Sequence, residues 1–100
     1  MTNWRQRFED DYTSPGWGVQ ERVMRTVFGD DYPEGVDPYS YVSLAELYRF
    51  ARDLALERGG ILVDLGCGRG GAGLWVALET GARLVGIDIA EAALVGARDR

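Results

Sequence analysis

A glycine-rich segment that directly follows a short apolar run constrains this chain more than any other part of its sequence. Residues 61–65 (ILVDL) have the length and apolar character of a buried parallel strand. The next six residues, GCGRGG, include four glycines, and Gly66, Gly68 and Gly71 fit the spacing G-x-G-x-x-G. A strand that leads into such a loop predicts a tight turn in which the backbone lies close to a ligand.

Alternating strand and helix patterns continue after this loop. Residues 72–80 have a helical pattern that Gly81 closes, residues 83–88 (RLVGID) read as a second strand, and a further helix starts at Ala90. This order predicts an α/β fold, namely the N-terminal part of a Rossmann-like doubly wound parallel sheet. We therefore assign residues 43–100 to the first half of an α/β domain.

Residues 1–42 differ in character and are interpreted as an N-terminal cap of helices and loops. Trp4, Phe8 and Tyr12 recur at four-residue spacing, which places them on one face of a short helix. Residues 19–28 predict a second amphipathic helix, and the prolines of residues 30–42 predict a loop. We expect Trp4, Phe8, Trp17 and Phe28 to pack the helices onto the sheet or onto each other. The acidic runs, residues 9–11 and 30–31, are expected to be solvated surface.

The clearest helix begins at Ser43. Ser43 and Glu46 fit the capping box, in which each side chain accepts a hydrogen bond from the backbone of the other residue. An apolar stripe continues to Ala55, and Arg58 with the following Gly59-Gly60 pair predicts the end of the helix.

Composition excludes several kinds of chemistry and partner. The chain has 100 residues with 11 basic and 16 acidic side chains, a net charge of −5, and every basic residue is arginine. Without histidine or lysine, and with Cys67 as the single cysteine, it offers no zinc cluster, histidine base or Schiff-base lysine. The acidic balance makes nucleic acid an unfavourable partner, and no apolar run or secretory signal indicates a membrane or export. We therefore expect a cytoplasmic protein.

An adenosine-containing ligand is the inference from spacing and chemistry. The glycine loop would bring backbone N–H groups and a helix N-terminus to the ligand. Asp88 ends the second strand, where a carboxylate can accept hydrogen bonds from both ribose hydroxyls. Asp64, at the mouth of the loop, would repel a pyrophosphate but suits the ammonium and sulfonium of S-adenosylmethionine. This argument favours S-adenosylmethionine over NAD, and it weakens if the Asp64 carboxylate turns into backbone N–H groups.

These two segments, VDLGCGRGGAG (residues 63–73) and LVGIDIA (residues 84–90), resemble the first two motifs of class I S-adenosylmethionine-dependent methyltransferases. The resemblance implies that Gly66, Gly68 and Gly70 line the methionine part of the cofactor, with Cys67 between them as a small residue of the turn. It further implies that Asp64 holds the loop near the methionine end. It also places Asp88 on the ribose and Ile89 on the adenine. Family members often cover the cofactor with an N-terminal segment that contributes a hydroxyl group, commonly an aromatic one. The candidates for that hydroxyl here are Tyr41, Tyr39 and Ser43.

The resemblance leaves the catalytic residues and the methyl acceptor open. Members of that family have several more strands, so the chain is expected to be an N-terminal part of such an enzyme and not to turn over alone. The acidic balance and the lack of a basic patch favour a small-molecule acceptor. Two alternatives remain: a fragment of an NAD(P)-binding dehydrogenase, supported by the G-x-G-x-x-G spacing, and a non-catalytic half-domain that binds or scaffolds a partner.

Overall fold

A two-stranded parallel sheet lies at the centre of the structure, a computed structural model that describes residues 1–14, 16–37 and 40–100. The strands are β1 (Ile61–Leu65) and β2 (Arg83–Ile87), and they pair in register from Ile61 opposite Arg83 to Leu65 opposite Ile87. The described helices, in chain order, are α1 (Trp4–Thr13), α2 (Trp17–Phe28), α3 (Leu44–Asp53), α4 (Gly71–Thr80) and α5 (Glu91–Arg98), and a 3-10 turn at Gly29–Asp31 follows α2. The expected α/β class and the expected order of strands and helices are confirmed.

Local sequence signals account for several helix ends. Asn3 caps α1 by accepting from the backbone N–H of Gln6, and Ser43 and Glu46 form both bonds of the predicted capping box at α3. Gly81, with φ +73°, closes α4 in the left-handed conformation that glycine adopts without strain.

The third helix is shorter than the sequence predicted. It ends at Asp53 rather than near Arg58, and Ala55 has a φ of +48°. The reason lies in the sheet: the Gly59 N–H donates to the Gly81 carbonyl (2.8 Å), and the Gly60 carbonyl accepts from the Arg83 N–H (2.7 Å). These bonds hold the residues before β1 against the start of β2, so the chain has to turn before it reaches them.

The core lies between α3, α4 and the inner face of the sheet. Leu47 is completely buried and packs with Val36, Val42 and Val76. Trp75 of α4 flanks this cluster and meets the Tyr48 ring edge-on at 4.8 Å, which is a packing role.

The other face of the sheet is apolar and open. The side chains that alternate with the core-facing ones remain 48–75% exposed; they are Ile61, Val63, Leu65, Val85 and Ile87. Two parallel strands with helices on one side only leave such an apolar face uncovered. None of the described helices combines the length and apolar character that crossing a bilayer requires.

Candidate functional site

The glycine loop forms the tight turn that the sequence predicted. Gly66, Gly68 and Gly70 have φ values of +72°, +56° and +82°, a region that side-chain-bearing residues rarely adopt. The N–H groups of Gly66 and Cys67 both donate to the Ile87 carbonyl, at 2.7 and 3.0 Å. These two amides are therefore bound to the end of β2, and the expectation that bare loop amides receive the ligand needs correction.

The carboxylate of Asp88 joins the glycine loop to the start of α5. One of its oxygens accepts from the Gly68 N–H at 2.7 Å, and the other accepts from the Ala90 N–H at 2.8 Å. Each carboxylate oxygen has two lone pairs, so both retain a position for a further hydrogen bond. Asp88 is thus both an anchor of the loop and an acceptor at the end of β2.

A cavity of about 480 Å³ opens beside Asp88 at the carboxyl end of the strands. Its lining from the sheet edge is Gly66, Ile87, Asp88 and Ile89, and its lining from α1 is Phe8 and Tyr12. One carboxylate among apolar and aromatic side chains is the composition expected around a nucleoside, because a flat base needs apolar contact and a sugar needs acceptors.

A second cavity of about 300 Å³ lies on the other side of Tyr12 and of the loop. It is lined by Asp64, Cys67, Gly68 and Arg69 from the sheet edge and by Trp17 and Asp37 from the N-terminal part. Gly66 and Tyr12 line both cavities, so the two spaces are neighbours across these residues.

Asp64 is half-buried at the end of β1, against the first turn of α4. A β-carbon at Gly73 would lie 2.6 Å from an Asp64 carboxylate oxygen, so this glycine leaves the space that the carboxylate occupies. Burial, and secondarily the charge of Asp88, raise the pKa of Asp64. A nearby cation would stabilise the ionised form of Asp64, which burial and the neighbouring charge disfavour.

Cys67 lies in the turn as a small packing residue. Its sulfur fills the space beside Gly86, where a β-carbon would come within 2.8 Å. Burial, followed by the charges of Asp64 and Asp88, raises the pKa of the thiol. A thiol held in its neutral form is a weak nucleophile, in agreement with the structural role expected from the sequence.

Helix α1 lies across the mouth of the first cavity and is tied to α5 by Glu9. Both carboxylate oxygens of Glu9 accept backbone N–H groups at the start of α5, from Glu91 and from Ala92 (3.0 Å). A carboxylate at this end of a helix meets unpaired amides and the positive end of the dipole. The expectation that this acidic run is only solvated surface is therefore wrong for Glu9.

Removal of the Glu9 carboxylate should loosen α1 from α5. We expect Glu9→Ala to lower the free energy of unfolding by about 1 kcal/mol, the usual contribution of a helix cap. The control is Asp10→Ala on the same helix, because Asp10 accepts from Gln6 within α1 and should change stability by less than about 0.5 kcal/mol. Urea unfolding measures both, and equal losses would show that Glu9 does not hold the two helices together.

The remaining sequence-derived candidates lie elsewhere. Tyr41 is 62% exposed with a φ of +49°, and it lines neither of the two cavities. Tyr39 lies outside the described residues, and Ser43 is buried as the cap of α3. Gly70 is the first residue before α4 and faces a separate cavity with Leu74 and Leu84. The structure thus brings together Asp64, Gly66, Cys67, Gly68, Asp88 and Ile89.

Sequence reasoning missed three aromatic residues of the site. Phe8 and Trp17 were assigned to packing and Tyr12 only to one face of a helix, yet all three line the cavities, and the Tyr12 hydroxyl occupies the space beside Gly68. Burial, and then the charges of Asp88 and Asp37, raise the pKa of Tyr12. The four-residue aromatic spacing was a signal for one helical face, but nothing in it indicated that this face would meet the glycine loop.

The N-terminal turn of α4 is covered by the chain itself. A β-carbon at Gly71 would lie 2.9 Å from the Asp37 backbone nitrogen and 3.0 Å from the Val36 α-carbon. The backbone of residues 36–37 therefore occupies the place where a pyrophosphate would meet this helix in a dinucleotide-binding site.

No family model matches the chain, and no curated protein matches it. The assignment of an activity accordingly depends on the chemistry and geometry of the two cavities.

Proposed function

We propose that this chain supplies the cofactor-binding part of an S-adenosylmethionine-dependent methyltransferase that acts on a small molecule. The sheet would then be the first part of a Rossmann-like doubly wound fold. The observation that carries the proposal is Asp88, whose carboxylate is fixed by the Gly68 and Ala90 N–H groups at the edge of an apolar cavity.

The first cavity fits the adenosine. Asp88 has lone pairs left for two ribose hydroxyls, because its backbone bonds use one position on each oxygen. Ile89, which is 49% exposed, and the Phe8 ring provide apolar contact for a flat base. Helix α1, held by Glu9, would cover the bound nucleoside and exclude water from it.

The charge distribution fits a cationic methyl donor. Asp64 lines the second cavity and Asp88 the first, and each lies beside Gly66. Bound between them, S-adenosylmethionine would supply a methyl group on a positively charged sulfur for displacement by the acceptor. The residues of this chain would position the methionine end along the loop and hold the acceptor in line with the methyl group.

The same observations disfavour a dinucleotide. A pyrophosphate needs backbone amides, but those of Gly66, Cys67 and Gly68 already donate within the chain, and residues 36–37 cover the start of α4. The Asp64 carboxylate would also repel the negatively charged pyrophosphate. The dehydrogenase alternative therefore has only the glycine spacing in its support.

Calorimetric titration with the reaction product, S-adenosylhomocysteine, tests the proposal. We expect saturable 1:1 binding of S-adenosylhomocysteine by the 100-residue chain, and at least about tenfold weaker binding of NAD, because of the repulsion and the occupied amides. Adenosine serves as the control for the nucleoside part, and it should bind more weakly than S-adenosylhomocysteine. Preferential binding of NAD, or no binding of any of the three, would contradict the proposal.

A further inference from the structure

A second group of charged residues lines a cavity that adjoins the second cavity. This arginine pocket, which we define by Trp17, Asp37, Arg69 and Arg100, is part of a cavity of about 240 Å³. Trp17, Asp37 and Arg69 also line the second cavity, so the pocket continues into the space beside Asp64 and the glycine loop.

Two guanidinium groups share one carboxylate in the arginine pocket. Arg100 lies 3.2 Å from an Asp37 oxygen and also donates to the Gly35 carbonyl at 2.9 Å. Arg69 lies 3.8 Å from the same Asp37 oxygen, which is an ion pair longer than a hydrogen bond. Within these described ion pairs, two positive charges face one negative charge, so the arginine pocket has an excess of one positive charge.

The other charged residues that line the cavity balance each other. Arg25 pairs with Glu21 at 2.8 Å, so the excess positive charge of the lining lies at Arg69 and Arg100. An anion that enters the cavity is therefore attracted to the arginine pocket. The side chains of Asp37, Arg100 and Arg69 are only 10%, 26% and 35% exposed, so water screens these charges less than it screens surface pairs.

The arginine pocket also has a flat apolar wall. The Arg69 guanidinium lies 5.1 Å from the centroid of the Trp17 ring, and the Arg69 side chain packs against Gly96 of α5, where a β-carbon would meet its Nε at 2.8 Å. The Arg69 side chain thus lies between the Trp17 ring and helix α5. A planar guanidinium next to an aromatic ring suits a carboxylate attached to a flat group, because the fork of N–H donors matches both carboxylate oxygens.

We propose that the arginine pocket binds the carboxylate of the methyl acceptor, and that the acceptor is a small aromatic or otherwise flat monocarboxylic acid. This inference rests on the proposed function. Asp64 and Asp88 line the two cavities proposed for the donor, whereas the arginine pocket beyond them has an excess of one positive charge, so a cationic donor and an anionic acceptor are each directed to their own side. The cavity of about 240 Å³ that contains the arginine pocket suits a small molecule.

Benzoate and benzamide are the probes for this pocket, because they have the same shape and differ in charge. We expect benzoate to bind the unaltered chain in an NMR titration that follows the tryptophan indole signals, and benzamide to bind at least about tenfold more weakly. Saturating S-adenosylhomocysteine should change the affinity for benzoate by less than about twofold, because the two ligands occupy neighbouring spaces. Equal binding of benzamide and benzoate would overturn the proposal, and so would displacement of benzoate by S-adenosylhomocysteine.

Substitutions locate the bound anion. We expect Arg69→Gln to weaken the binding of benzoate about tenfold. The control is Arg52→Gln, which removes an exposed arginine paired with Asp53 and should leave the affinity for benzoate unchanged. Gly96→Ala displaces the Arg69 side chain without removing its charge, and alanine favours a helix, so this variant should fold and bind benzoate severalfold more weakly. Equal benzoate affinities in all three variants would place the anion elsewhere.

Arg69 could instead hold the carboxylate of the cofactor, and 5′-methylthioadenosine, which lacks that group, separates the two roles. We expect Arg69→Gln to change the affinity for S-adenosylhomocysteine and for 5′-methylthioadenosine equally and by less than about threefold. A selective loss for S-adenosylhomocysteine would overturn the acceptor proposal and leave the proposed function intact. If benzoate binds but S-adenosylhomocysteine does not, the proposed function fails, and the acceptor role fails with it.

Discussion

Asp88→Ala should weaken the binding of S-adenosylhomocysteine by about 10- to 100-fold while the protein remains folded. The change removes the charge-assisted hydrogen bonds that we propose for the ribose hydroxyls, which are worth about 1.5–3 kcal/mol. It also leaves the Gly68 and Ala90 N–H groups without their acceptor, so a loss of stability of about 1–2 kcal/mol should accompany the loss of affinity.

Two measurements separate these effects of Asp88. Calorimetry gives the affinity of the folded variant, and urea unfolding gives its stability. The control is Asp53→Ala, which removes an exposed aspartate of α3 that pairs with Arg52 and should change neither quantity appreciably. If Asp88→Ala lowers stability but binds S-adenosylhomocysteine like the unaltered chain, Asp88 is an anchor of the loop and of α5, and the nucleoside does not depend on it.

Leu47→Ala should lower the free energy of unfolding by about 2–5 kcal/mol, the range found for leucine truncation in a packed core. Leu47 is fully buried, and it joins α3 to Val36 and Val42 of the N-terminal part and to Val76 of α4. Small domains have a total stability of about 5–15 kcal/mol, so this loss should move the urea midpoint strongly or unfold the chain at room temperature.

Leu78→Ala provides the matched control for the core. Leu78 lies on α4 and is 83% exposed, so the same truncation removes little buried surface and should cost less than about 0.5 kcal/mol. Similar midpoints for the two variants would mean that α3 and α4 do not pack around Leu47 in solution.

The effect of Leu47→Ala on ligand binding follows from the same contacts. Val36 precedes Asp37, and this stretch of backbone lies against Gly71 at the start of α4. Loosening of the core should therefore move Asp37 relative to Arg69. It should weaken the binding of benzoate more than that of S-adenosylhomocysteine, because Leu47 does not line the first cavity, which we propose for the nucleoside.

Local sequence signals were sufficient for the elements and for the polar half of the site. A short apolar run, a glycine loop and a second run ending in Asp88 predict parallel strands whose carboxyl ends meet at one edge. Asp64, Gly66, Gly68 and Asp88 lie at that edge for this reason. The capping box at Ser43 and the helix end at Gly81 are equally local, because each depends on a few consecutive residues.

The sequence could not show whether the N–H groups of the glycine loop are free or already hydrogen-bonded. Glycine spacing shows where the backbone turns, but the partner of each N–H depends on how closely β2 approaches the turn. In the structure, the Ile87 carbonyl and the Asp88 carboxylate accept the N–H groups of Gly66, Cys67 and Gly68. The early end of α3 was not readable from the sequence for the same reason. It depends on hydrogen bonds between the residues before β1 and the start of β2.

By itself, the sequence determined the α/β class, the strand order along the chain, the tight turn and the two acidic strand ends, because each is encoded by the conformational preferences of neighbouring residues. Only the tertiary structure decided that Glu9 ties α1 to α5 beside the first cavity, that Tyr12 meets Gly68, and that Arg69 and Arg100 share Asp37. These contacts join residues far apart in the chain, and their energies depend on shape, burial and charge in three dimensions, which no local pattern records.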